Sequence, residues 1–178
     1  MWGRARAAAA QALTRNVEVF ERDGYRLTAR EGFLSARLEA DDGRALRLRM
    51  AQAGRVFGGS YALEIAPVDP VLPATGGLTA RGRGVVRLSR VAFRSRRGDA
   101  AGRRLAERLD ADPALQRALA DVHFERVRVD SEGRPVVRHM GGSVVWALFP
   151  PVIRPVPLVP EQARATVRAL EAFTSVRM

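Results

Sequence analysis

Cysteine is absent from the 178 residues, which excludes disulfides, thiolate zinc centres and cysteine nucleophiles. Lysine is absent as well: all 30 basic residues are arginine, against 19 acidic ones. Phosphate-binding proteins ordinarily mix the two cations. A complete lack of lysine beside abundant Ala, Gly, Pro, Val and Arg reads as a GC-rich coding bias. The net charge of +11 and pI of about 11.6 are therefore discounted as a functional signal, although they attract anionic partners at low salt. No apolar run reaches the roughly 18 residues of a spanning helix. Histidine occurs only at His123 and His139, and no His-x-x-x-His or His-Glu-x-x-His spacing exists to hold a metal.

What is present suits one ordinary domain over 1–178. Apolar residues reach 47%, which excludes global disorder. The start, Met1 to Ala10, is basic but lacks the apolar stretch of a secretion signal, so a cytoplasmic location is expected.

Periodicity predicts an α+β fold: an antiparallel sheet of about seven to nine strands with N-terminal, central and C-terminal helices packed on it. Ala9, Leu13, Val17 and Phe20 form one helical stripe over 3–22, which Asp23-Gly24 ends. The period then drops to two. Tyr25, Leu27 and Ala29 alternate with polar residues, as do Leu34, Ala36 and Leu38, then Leu46, Leu48 and Met50, then Tyr61, Leu63 and Ile65. Asp41-Asp42-Gly43 marks a hairpin turn. A strand over about 79–94 changes phase between Val86/Leu88 and Val91/Phe93, which predicts a bulge near Ser89-Arg90. Asp99 and Asp112 are helix caps, the second with Pro113 at the first helical position. Val127 and Val129 alternate with Arg126 and Arg128. Residues 143–149 are nearly all apolar and predict a central strand covered on both faces. Pro160 opens a last helix with Ala163, Val167, Leu170 and Phe173 inward.

Two stretches echo each other. Arg55, Gly58-Gly59-Ser60 and Pro67 recur at identical spacing as Arg138, Gly141-Gly142-Ser143 and Pro150. This raises an internal duplication over about 3–75 and 99–160, against coincidence in a chain rich in these residues.

Catalytic signals are sparse. Ser60 and Ser143 follow paired glycines but lack the last Gly of a nucleophile elbow. Gly82-Arg-Gly84 lacks the third Gly of a dinucleotide loop and precedes a strand. Asp110-Ala-Asp112 lacks the Gly and distal Glu of a calcium loop. Pro67, Pro70 and Pro73 read as a stiff connector. No catalytic residue, cofactor or metal site is expected, and the chain leans away from being an enzyme. The one dense constellation is Arg81, Arg83, Arg87, Arg90, Arg94, Arg96 and Arg97. A row of guanidiniums on an exposed sheet face binds phosphates bidentately. The plainer reading is a solvated face paired with nearby carboxylates.

The segment Arg138-His139-Met140-Gly141-Gly142-Ser143, continued through Trp146 and Phe149-Pro150-Pro151 to the proline-rich exit and closing helix, resembles an uncharacterised bacterial family, a domain of unknown function. The resemblance implies coverage of most of the chain and a bacterial cytosolic origin. It implies no activity and no site residues. The leading functional expectation is a non-enzymatic domain that binds a protein partner or an apolar ligand. The alternatives are arginine-mediated, non-specific binding of nucleic acid or an acidic partner, and an enzyme without a recognisable motif.

Overall fold

The computed structural model describes residues 2–55, 58–83 and 90–176. Among these the fold is α+β, with four helices and ten strands in antiparallel pairing. In chain order they are α1 (Trp2–Glu21), β1 (Tyr25–Arg30), β2 (Ser35–Ala40), β3 (Ala45–Arg55), β4 (Gly58–Pro67), β5 (Leu78–Arg83), β6 (Arg90–Ser95), α2 (Ala100–Ala111), α3 (Pro113–Ala120), β7 (Phe124–Val129), β8 (Pro135–His139), β9 (Val144–Ala147), β10 (Val152–Pro155) and α4 (Pro160–Ser175). The chain gathers into two compact units, Met1–Ile65 with His139–Ala163, and Ala66–Arg138 with Arg164–Met178. No helix among the described residues is long and apolar enough to cross a membrane.

In the first unit β1, β2, β3 and β4 lie side by side in sequence order, and β4 also pairs with β9, which pairs with β10. The alternation of β2 and β3 places Ala36 opposite Leu48 and Leu38 opposite Leu46, all buried. Helix α1 packs there through Ala5, Ala9, Ala12, Leu13, Asn16, Val17 and Phe20, and Phe20 meets Tyr25 edge-on at 5.9 Å between ring centres. The expected alternation holds less well in β1. Only Tyr25 is buried there: Leu27 lies opposite the buried Leu38 but is left 36% exposed on this terminal strand, and the register shifts after it, before Ala29. Strand β9 also departs from expectation: Val144 and Trp146 are buried while Val145 stays 48% exposed. With only four residues, the strand is flanked on both edges but covered on one face.

Tryptophan 146 explains the first glycine pair. Gly59 lies directly opposite it, and a Cβ at Gly59 would stand 2.9 Å from the indole and 2.6 Å from the Ala53 carbonyl. The second pair has another task. Gly142 adopts φ +73°, and a Cβ there would meet Leu63 and Asn16. One pair is a bed for a ring and the other a tight turn, and the strands that follow them, β4 and β9, run against each other.

In the second unit the strand order is β8, β7, β5, β6. The two described ends of the region 79–94 are separate strands, β5 and β6, paired antiparallel rather than parts of one bulged strand: Leu78 pairs with Ser95, Thr79 with Arg94 and Ala80 with Phe93. Two short antiparallel arms satisfy each other's backbone, which a single strand of that length leaves to neighbours. The bulge expected at Ser89, with Val86 and Leu88, lies outside the described residues. This division and the short β10 within the proline-rich exit raise the strand number to ten. Leu105, Leu109, Leu115, Leu119 and Val122 are buried from α2, α3 and the turn after them. In α4, Ala163, Leu170 and Phe173 are buried as expected, whereas Val167 is half-buried and Thr166 and Ala169 are buried. The Phe173 ring lies edge-on to Phe93 at 6.0 Å.

Candidate anion-binding site

The acids near the arginine cluster are mostly committed to holding backbone. Asp99 accepts from Gly102 N at 2.7 Å and Gly76 N at 2.8 Å, capping α2 and tying it to the loop before β5. Those two backbone donors hold its carboxyl below the ordinary value. Asp112 caps α3 through Ala114 N and Leu115 N, both at 2.9 Å. Asp110 accepts from Phe93 N at 2.8 Å, and Gln116 Oε1 accepts from Val91 N at 3.0 Å. Both donors belong to β6, which ends the strand order of its unit, so two helix side chains close its open edge. The Asp110-Ala-Asp112 pair is thus spent on strand and helix, and the described residues contain no metal-binding cluster.

With β6 held this way, the register sets out an arginine row. Thr79 in β5 is opposite Arg94 in β6 on one side and Arg128 in β7 on the other. Strands sit about 4.8 Å apart, so the Arg94 and Arg128 backbones stand roughly 10 Å from each other with Thr79 between. Arg94 is exposed and Arg128 half-buried. At the end of this row an open pocket of about 410 Å³ is bounded by Gly77, Thr79, Arg94, Arg96, Arg128 and Ser131. Asp130 also borders it. Burial acts to raise the Asp130 carboxyl, but bonds from Arg134 prevail and hold it below the ordinary value. Those bonds come from Arg134 N at 2.9 Å and Arg134 Nε at 3.1 Å.

Of the seven arginines singled out in the sequence, Arg94 and Arg96 line this pocket and Arg97 is exposed beyond it. Arg81 and Arg83 in β5 are register partners of Ala92 and Arg90 in β6, and Arg87 lies outside the described residues. Arg128 was not among the seven. Its alternation with Val127 and Val129 was visible, but its place beside Thr79 depends on a strand pairing that spans 49 positions of sequence. The second unit holds 18 of the 30 arginines and 10 of the 19 acids, a net +8; the first holds 12 and 9, a net +3.

Of the residues weighed for catalysis, Ser143 is held in buried backbone hydrogen bonds. Ser143 Oγ donates to the His139 carbonyl at 3.2 Å and accepts from Leu63 N at 3.4 Å. Asn16 Nδ2 donates to the Gly142 carbonyl at 2.8 Å. These buried bonds pin the turn between β8 and β9 to α1 and β4. Ser60 lies half-buried in β4 opposite Val145, His139 is fully buried and His123 is exposed. The proline segment is tied down where Val71 N and Leu72 N donate to the Gly133 carbonyl at 3.3 and 3.1 Å.

No curated protein matches the chain, and no solved structure does. One family model, described as a protein of unknown function, matches residues 23–177. By that match over most of its length, the chain belongs to the family of proteins of unknown function DUF3156.

Proposed function

We propose that this protein is a non-enzymatic binding module whose second unit takes the phosphate backbone of a nucleic acid on the β6-β5-β7 face without sequence preference. The observation that carries this reading is the row Arg94, Thr79, Arg128 with Arg96 at the pocket edge. Guanidiniums spaced across adjacent strands grip phosphates bidentately. The concentration of net charge in the same unit adds long-range attraction. Thr79, Ala92, Arg94, Arg126 and Arg128 offer no aromatic surface on which bases could stack, which favours backbone contact over base readout. A cytoplasmic, bacterial setting fits this role.

Filter binding of single- and double-stranded DNA and RNA at two salt concentrations tests it. Affinity should fall steeply with salt as counterions are released. Arg94→Ala with Arg128→Ala should flatten the slope by about two contacts. No retention of any nucleic acid at low salt by the folded protein would refute the reading.

A second reading, docking of a protein partner, is favoured by the exposed apolar residues Met140, Val145, Phe149, Val152 and Val159. They cluster in sequence around β10, the last strand of its row. Such an edge accepts an added strand, and binding there would resist salt.

A further inference from the structure

The first unit carries a second cationic surface of different composition. Trp2, Arg6, Ala10 and Thr14 follow at four-residue steps along α1, which keeps them on one side of the helix. Trp2 remains 52% exposed although its ring lies edge-on to the buried Trp146 at 4.5 Å. The Arg6 guanidinium sits 5.9 Å from the centre of the Phe33 ring, and Phe33, in the turn between β1 and β2, is 76% exposed. Arg30 Nη2 donates to Thr14 Oγ1 at 3.2 Å. Between these groups opens a groove of about 490 Å³ lined by Ala10, Gln11, Thr14, Arg30, Gly32 and Phe33. The first helical turn contains no acid. Glu31, in the same turn as Phe33, is paired with Arg47 at 3.1 Å.

We propose that this stripe docks the protein on the surface of an anionic phospholipid bilayer. Trp2 and Phe33 enter the interfacial layer, while Arg6 and Arg30 meet lipid phosphates. An indole and a phenyl ring left in water beside arginines match that layer on both counts. Aromatic side chains partition at the boundary between head groups and acyl chains, and guanidiniums complement the negative leaflet. The arginines select this occupant over an apolar protein groove, which leaves such cations without counter-charges. Two rings give reversible attachment, not insertion. The docking surface uses other residues than the nucleic-acid reading and does not depend on it.

The test is sedimentation of the full-length protein with vesicles of phosphatidylcholine alone and of phosphatidylcholine with phosphatidylglycerol. Binding is expected on the anionic vesicles only, with tryptophan emission quenched by brominated lipid. Phe33→Ser should lower the partition coefficient about tenfold. Each of Arg6→Gln and Arg30→Gln should lower it about fivefold. Arg94→Ala with Arg128→Ala should leave it unchanged. Phe33 and Arg30 are exposed, so these variants keep the test open if Trp2→Ser disturbs the fold. No sedimentation with anionic vesicles, equal partition of Phe33→Ser and wild type, or loss of binding in the Arg94/Arg128 variant instead would each overturn the proposal.

Discussion

Replacing Phe173 by alanine should be among the more damaging single changes in the second unit. The side chain is 0% exposed and its ring stands edge-on to Phe93 at 6.0 Å. Removing a phenyl ring from water is worth about 1.5–3 kcal/mol. The void left behind adds to that loss, because packed neighbours relax only partly, and the total reaches about 3–5 kcal/mol. For a chain of this length each kcal/mol corresponds to about 2–4 °C, so the melting temperature should fall by roughly 6–20 °C. Circular dichroism melts of wild type, Phe173→Ala and Phe33→Ala would measure it. The last is the control, since an exposed ring should change stability by less than about 0.5 kcal/mol. A cycle with Phe93→Ala should recover a coupling of about 0.5–1.5 kcal/mol for the edge-on contact. A melting temperature for Phe173→Ala within about 1 °C of wild type would refute the packing argument.

Gly59→Ala should destabilise by about 1–3 kcal/mol through overpacking, since its Cβ meets the Ala53 carbonyl and the Trp146 ring; urea titration checks it, and an unchanged midpoint would contradict the ring-bed role. Asp110→Ala should speed hydrogen exchange at the Phe93 amide, which loses its acceptor at the β6 edge; exchange measured by NMR decides this. The Asp99 and Asp130 carboxyls are both lowered from 3.8. Their contribution is therefore fully present above that value and is lost as pH falls through the lower folded-state values. Asp99→Asn keeps a capping oxygen but no titrating group, so its stability should vary less than wild type's between about pH 4 and pH 2. Melts across that range measure the difference.

Local chemistry made much of the chain legible. Leu13, Val17 and Phe20 recur at helical spacing and are buried, because a 3.6-residue period leaves little choice of face. Asp99 and Asp112 announced α2 and α3 because an N-cap needs only its own next three residues. The two-residue alternation in β2 and β3 likewise determined which side chains turn inward. Tertiary structure decided which strands became neighbours. Nothing local to Arg128 states that β7 lies beside β5, yet that pairing alone sets Arg128 and Arg94 on either side of Thr79. The same holds for the Gly58-Gly59 pair, whose reason is an indole 87 positions further along from Gly59, and for Asp110, whose acceptor oxygen serves the edge of β6. Helix caps and periodicity are written in neighbouring residues. Strand order is settled by which pairing buries the most apolar surface while satisfying every backbone donor, a property of the whole chain.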